Sequence, residues 1–286
     1  MNNNICRVIA EVGSTWKRDT PELSRQSALD SIRVAKESGA GIVKFQMLTA
    51  DGPWSKERAL PQWEATRPYW LLPEWLPSLR TLAASVGIEF WLSFFDLKSI
   101  NEYAKFCDGL KLASGELTEM SKPILCALAK QAEMFDIPLA ISTGTHTEVE
   151  VARALDWLKD YNIQVILMNC VSKYPASFED YKFEWMRKYR WVKLGLSDHI
   201  IGSGLIYKSI TNYITYFEKH FRLPDTPSDN PDFGHSLLPN QFADYVAGVH
   251  KAAGDFYNIN KQLAPGEEGE QVWMQRGSDG KRPRDA

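Results

Sequence analysis

Two lysines, Lys44 and Lys111, stand inside short apolar runs, VKFQ and LKLA, where each alternates with hydrophobic neighbours. On an extended strand that alternation turns each side chain inward, where an unpaired ammonium is costly unless an anion meets it. Two such lysines predict a phosphate or carboxylate ligand. The hydroxyls of Ser114, Ser142 and Ser197, with the backbone amides beside Gly115 and Gly144, would complete a cradle for its oxygens. The competing structural reading pairs a lysine with a buried carboxylate such as Glu116. Two histidines, His199 and His220, close two further runs of the same kind. Neighbouring strands lie roughly 5 Å apart, so imidazoles at adjacent strand ends can share one divalent metal. Glu218 precedes His220 by two residues and faces the same side, within reach of the metal or its water. Either histidine alone reads more simply as a hydrogen-bonded core residue, but the pair with a carboxylate reverses that. Mixed imidazole and oxygen ligation suits Mn, Fe, Co or Zn. His146 and His250 have surface or helix settings, and His235 is assigned to neither class.

Strands must position these groups. Eight short β-branched or apolar runs read as strands: Arg7 to Val12, Gly41 to Gln46, Ile88 to Ser93, Gly109 to Ala113, Leu139 to Thr143, Gln164 to Asn169, Trp191 to Leu196 and Ile214 to Lys219. Helical periodicity lies between them, at Pro21 to Ser38, Pro73 to Ser85, Pro123 to Phe135, Thr147 to Asp160 and Gln241 to Phe256, several opened by Pro or Thr. Eight βα units predict an α/β fold, a (β/α)8 TIM barrel in a single domain over residues 1–260, with a polar tail at 261–286. A doubly wound open sheet is the alternative, but it uses fewer strands and a Gly-rich first turn, and Glu11 to Lys17 offers only Gly13. Barrel enzymes carry their chemistry at the carboxyl ends of strands. Here those ends carry Glu11, Lys44 and Gln46, Ser93 and Asp96, Lys111 to Glu116, Ser142 to Thr145, Asn169 with Ser172 and Tyr174, Ser197 to His199, and Glu218 to His220. Two segments break the rhythm. Thr49 to Leu72, rich in Pro and aromatics, reads as a long loop without helix and a candidate lid. RLPDTPSDNPDFGHS, after the last strand, reads as a substrate loop.

Composition narrows the class. The 286 residues, 44% hydrophobic, suffice for one large core. A net charge of -3 from 33 basic and 36 acidic residues, with no basic block, argues against nucleic acid as a partner. Cys6, Cys107, Cys126 and Cys170 lack CxxC spacing and predict reduced thiols and a cytoplasmic setting. The amino terminus lacks the pattern of a secretory signal, and no apolar run reaches membrane-span length, so no membrane partner is expected.

IAEVGS at Ile9 to Ser14, VKFQ at Val43 to Gln46, LKLASGELT at Leu110 to Thr118, ISTGT at Ile141 to Thr145, SDHIIG at Ser197 to Gly202 and FEKHF at Phe217 to Phe221 together resemble the sialic acid synthase family in order and spacing. The resemblance runs from about Ile9 to Phe256. It implies condensation of phosphoenolpyruvate with an open-chain amino-sugar aldehyde such as N-acetylmannosamine, giving a nine-carbon sialic-type acid and phosphate. The metal, Mn2+ with Mg2+ or Co2+ as alternatives, would be bound by His199 and His220, with Glu218 near its water. Phosphoenolpyruvate would be held by Lys44, Ser93, Lys111, Ser114, Ser142, Ser172 and Ser197. Glu11, Gln46, Tyr174 and Asp232 would contact the sugar. Glu116 is the implied proton-transfer group, with Glu11 and Glu218 as further acid–base candidates. The family also implies a homodimer and a carboxyl-terminal antifreeze-like domain. The protein is expected to lack that domain, with a separate small antifreeze-like protein as the partner that would replace it. Thr15 and Trp16 stand where the family has Asn-His, Ser93 to Asp96 where it has Thr-Pro-Phe-Asp, and Ser172 where it has Asn. Those departures fall mainly on the acceptor side. They leave two other readings open: a phosphoenolpyruvate condensation with a different acceptor, or a non-catalytic anion-binding barrel.

Overall fold

The computed structural model describes residues 5–257, 266–276 and 278–283. All eight strands form: β1 (Arg7–Gly13), β2 (Ile42–Met47), β3 (Glu89–Phe94), β4 (Gly109–Leu112), β5 (Leu139–Ser142), β6 (Val165–Cys170), β7 (Lys193–Asp198) and β8 (Tyr216–His220). They pair in chain order, each neighbour parallel, and β8 closes on β1. Around them lie α1 (Pro21–Glu37), α2 (Leu60–Thr66), α3 (Leu76–Val86), α4 (Leu97–Tyr103), α5 (Lys122–Phe135), α6 (Glu148–Trp157), α7 (Ile206–Ile210) and α8 (Pro239–Tyr257), followed by α9 (Glu267–Met274). Local chemistry starts several of them. The Thr20 side chain accepts from the Leu23 N–H at the head of α1, Asp96 accepts from the Ser99 N–H at α4, and Thr147 with Glu150 forms a reciprocal capping box at α6.

The expectation of a helix-free loop over Thr49 to Leu72 is corrected. The segment contains α2 and a 3-10 turn at Arg67–Tyr69. Pro61 and Pro68 fall at the first positions of these elements, where the missing N–H has no helical partner to lose, so proline opens them instead of breaking them. Trp63 then stacks edge-on against Trp70 and donates its indole N–H to Ala50 O.

Side chains alternate in and out along every strand and divide the barrel lumen into two layers. The lower layer is an apolar plug of Ile9, Ile42, Trp91, Ala140, Ile166, Met168 and Tyr216. Glycines on the neighbouring strands make room for Trp91 and Met168: a Cβ on Gly109 would fall 2.2 Å from the Trp91 indole, and one on Gly195 2.2 Å from Met168 Sδ. The plug has no slack there. Gly109→Ala should therefore destabilise the fold by about 1–3 kcal/mol, the usual range for overpacking, and shift the denaturant midpoint down. An unchanged midpoint would mean the plug repacks freely.

Above the plug the inward positions become polar. The outward positions at the same height do not join that layer. Asp198 and Lys219, both at strand ends, point away from the lumen, pair at 3.0 Å and lie under Tyr245 of α8. They form a buried ion pair between barrel and helix.

The chain divides into two compact units, Met1–Ala253 and Gly254–Ala286. The first holds the barrel, and α9 belongs to the second. The expected boundary between residues 260 and 261 lies outside the described residues. Among the described residues, no helix is long and apolar enough to cross a membrane.

Candidate active site

The upper, polar layer of the lumen surrounds a cavity of about 190 Å³ at the carboxyl ends of the strands. Glu11, Lys44, Gln46, Ser93, Lys111, Ser114, Ser142, Tyr174, Ser197, His199, Glu218 and His220 all line it. Larger pockets exist, such as one of about 340 Å³ where β6 and β7 begin, but its lining carries no carboxylate, histidine or cysteine.

Both lysines have carboxylate partners, and neither partner is Glu116. Lys44 pairs with Glu11, reaches Glu218 at 3.6 Å and donates to Ser93 Oγ at 3.0 Å. Lys111 pairs with Glu218 and donates to Ser197 Oγ at 3.1 Å, while the Ser197 hydroxyl donates to Glu218 at 3.1 Å. Strand register brings these groups together, because Glu11 lies beside Lys44 and Ser197 beside Glu218 on adjacent strands. Gln46 donates its amide to Glu11 at 2.9 Å. Two ammonium groups and two carboxylates thus face one another in a buried layer.

The two carboxylates respond differently to that layer. Burial raises the Glu11 carboxyl above its ordinary range, and Lys44 only partly offsets it. Burial acts on Glu218 too, but Lys111 and Lys44 outweigh it and hold that carboxyl well below the ordinary range. Of the two, Glu11 is the carboxylate whose surroundings favour the protonated form.

The imidazoles stand at the rim of the same cavity. His199 Nδ1 lies 2.7 Å from Val171 O. A carbonyl only accepts, so Nδ1 carries the proton and Nε2 keeps a free lone pair. The His220 ring lies 5.5 Å away between centroids, and Tyr174 packs on His199 at 4.2 Å. Burial lowers His199 to about 4 and His220 well below its usual value, so both rings are neutral at neutral pH. Neutral, partly unpartnered imidazoles fit a divalent metal. In the metal-free protein, the unfolded chain binds a proton that native His199 refuses between pH 6.5 and about 4. Stability should then fall as pH drops through that window, by up to about 3 kcal/mol from this group. His199→Gln should flatten the corresponding part of a urea-midpoint profile against pH.

The loop after β8 adds two groups. Asp232 Oδ2 lies 2.7 Å from both the backbone N–H and the hydroxyl of Ser14. Gly13, at φ +54, permits this approach, since a Cβ there would sit 2.4 Å from that oxygen. Asp232 Oδ1 faces the rings instead, 3.3 Å from His235 Nε2 and 4.0 Å from His220 Nδ1. His235 was thus missed by strand-end reasoning. Its available signal was the Asp-x-x-His spacing, which a single 3-10 turn at Phe233–His235 folds onto one side.

Other expected site residues lie apart from the cavity. Glu116 is half-buried and accepts from the Ser121 hydroxyl at 2.9 Å, and burial raises its carboxyl. Ser172 follows β6 and comes within 4.0 Å of Cys170 Sγ, but does not line the cavity. His146, expected at the surface or on a helix, is enclosed instead: its side chain is 4% exposed and Nε2 accepts from the Leu117 N–H at 3.0 Å. Trp16 is buried edge-on to Trp75, and the Thr15 hydroxyl lies 2.7 Å from Val12 O.

The family model described as the NeuB family matches residues 31–258 of this chain. The N,N'-diacetyllegionaminic acid synthase of Legionella pneumophila is 31% identical over 268 residues, which cover 86% of this chain and 72% of that protein. The pseudaminic acid synthase of Helicobacter pylori is 28% identical, over 86% of this chain and 74% of its own length. Among solved structures, N-acetylneuraminic acid synthetase from Leptospira borgpetersenii shares the fold at a TM-score of 0.79 and 21% identity, covering 93% of this chain and 90% of that one.

Proposed function

The chain belongs to the NeuB family, and from that premise we propose that this enzyme condenses phosphoenolpyruvate with an open-chain N-acetylated amino-sugar aldehyde, yielding a nine-carbon ulosonic acid and phosphate. One observation carries the reading: Lys44, Lys111 and Ser197 share a single cavity with the neutral imidazoles His199 and His220. An anion site and a metal-ready rim within one small volume are what a phosphoenolpyruvate condensation requires.

Lys44 and Lys111 bind the phosphate and carboxylate oxygens, with Ser93, Ser114, Ser142 and Ser197 as neutral donors and Ser172 as an outlying one. Binding displaces Glu11 and Glu218 from the ammonium groups, and Glu11 answers by taking up the proton. His199 and His220 hold the metal, which when bound supplies positive charge to polarise the aldehyde oxygen. In the reaction, the donor's methylene carbon bonds to the aldehyde carbon, whose oxygen takes a proton to become a hydroxyl, while water adds at the adjacent carbon and gives up a proton, and the carbon–oxygen bond to phosphate breaks. Glu11, Gln46 and Tyr174 orient the acceptor, with Asp232 contributing through the lone pairs that Ser14 and an ion leave free. Glu116 serves proton transfer only if it turns away from Ser121. The synthase domain is assigned to 1–260 and the polar tail to 261–286.

The products named for the relatives, legionaminic and pseudaminic acids, favour a nine-carbon product over other classes. A second acceptor class is supported by a specific observation. Thr15 and Trp16 turn into the core, so the family's Asn-His pair has no polar counterpart facing the sugar. The deciding experiment incubates the purified protein with phosphoenolpyruvate, Mn2+ and a panel of N-acetylated hexoses, reading phosphate release together with product mass. Phosphate release with no adduct mass from any sugar would refute the condensation.

A further inference from the structure

We propose that Asp232 and His235 are metal ligands in addition to His220, so that the loop after β8 supplies an imidazole and a carboxylate that strand ends alone do not. The inference rests on the reading that this site takes a divalent cation.

Four features of the loop carry it. First, both ring nitrogens are enclosed and without a hydrogen bond. The His220 and His235 side chains are 8% and 7% exposed; His220 Nδ1 has no hydrogen-bond partner, and His235 Nε2 meets only Asp232 Oδ1, at 3.3 Å and outside hydrogen-bond geometry. Leaving two buried ring nitrogens unsatisfied is costly, and a cation between them removes the cost. Second, the spacing suits one ion. Ligand atoms roughly 2.0–2.2 Å from a metal lie about 3 to 3.5 Å from one another. Here the ligand atoms of His220, Asp232 and His235 all fall within 4.8 Å, with Asp232 Oδ1 3.3 Å from His235.

Third, the carboxylate is already oriented. Ser14 occupies Asp232 Oδ2 through its N–H and hydroxyl, which turns Oδ1 toward the rings. That is the kind of supporting hydrogen bonding that fixes a metal ligand. Fourth, the loop is held in place independently of any ion. Asn230 accepts from the Asp232 N–H and donates to Ser14 O, and the Ser236 hydroxyl donates to Asp232 O at 2.6 Å. The Leu237 N–H donates to His220 O, so the chain folds back against the strand end it serves. An ion pair of Asp232 with a charged His235 is the competing arrangement, but it leaves His220 Nδ1 unsatisfied.

Calorimetric titration of the full chain with Co2+, at neutral pH and without substrates, tests the assignment. His235→Gln should weaken Co2+ binding at least about tenfold, since even an outer-sphere partner typically contributes 10 to 100-fold. The visible absorption of the bound Co2+ should change as well. Asp232→Asn should act in the same direction. Unchanged affinity and spectrum in His235→Gln would overturn the proposal. A measurement that needs no binding-site variant guards against misfolding: in 15N-histidine-labelled wild-type protein, Zn2+ should move the His235 ring resonances. A response confined to His199 and His220 would overturn it too, and so would a wild-type chain that binds no divalent ion. The functional reading fails separately. Turnover of phosphoenolpyruvate with Co2+ binding unaffected by His235→Gln would leave the condensation standing while the ligand assignment falls, and His235-dependent Co2+ binding without any turnover would do the reverse.

Discussion

Lys111→Met should reduce phosphoenolpyruvate affinity by on the order of 100-fold, because a charge-assisted donor to an anion contributes up to about 3 kcal/mol. The variant will also be less stable than a simple cradle would predict. Lys111 is half of a buried pair with Glu218, and removing one partner of such a pair typically costs about 3–5 kcal/mol. Glu218 would retain Ser197 at 3.1 Å and Lys44 at 3.6 Å, too little to hold a buried charge unaided. The double variant Lys111→Met with Glu218→Gln removes the stranded charge and should recover much of the lost stability. It should not recover binding. Calorimetry with phosphoenolpyruvate and a thermal melt on all three proteins separate the two effects. Restored affinity in the double variant, or unchanged affinity in Lys111→Met and Lys44→Met, would mean that these lysines only balance the barrel carboxylates.

That pairing marks how far local sequence reaches. Period-two alternation is a local property, and it assigns Lys44, Lys111, Ser197 and Glu218 correctly to the lumen. The same alternation sends Asp198 and Lys219 outward, a distinction that position at a strand end does not carry. Which carboxylate meets which lysine depends on β1–β2 register for Glu11 and Lys44, and on reach across the lumen from β4 to β8 for Lys111 and Glu218. No local pattern encodes that. The eight strands were legible because apolar, β-branched runs of five or six residues recur between strongly periodic helices. Helices α4 and α7 span only seven and five residues, too short for a 3.6-residue period to stand out. Proline misleads at α2, where it sits in the first turn and opens the helix instead of breaking it. His235 was invisible for a different reason. Its neighbourhood is created by a loop returning to β8 through Asn230 and Leu237, and no strand-end rule reaches a residue fifteen positions beyond the last strand.

Chelation should abolish turnover, by about a thousandfold or more, and a divalent ion should restore it, since loss of several kcal/mol of charge stabilisation corresponds to that factor. His220→Ala should reproduce the chelated protein even in excess metal. It is the residue common to both candidate ligand sets, 5.5 Å from His199 between ring centroids and 4.5 Å from His235. His199→Ala removes a donor from one side only, so its turnover should fall strongly but respond to added Mn2+ where His220→Ala does not. That ordering tests geometry as well as metal dependence. Burial keeps both rings neutral, so protonation does not compete with the ion near neutral pH, and the metal requirement should be flat down to about pH 6. Glu218→Gln distinguishes a third role. Glu218 contacts Lys111 and Ser197 and stands two residues before His220 on β8, so its loss should raise the requirement for phosphoenolpyruvate more than the requirement for metal. The reverse pattern would mean that Glu218 reaches the ion after all. Full activity in a chelator, or in His220→Ala at unchanged stability, would leave the imidazole rim without a catalytic part and the condensation without its source of polarising charge.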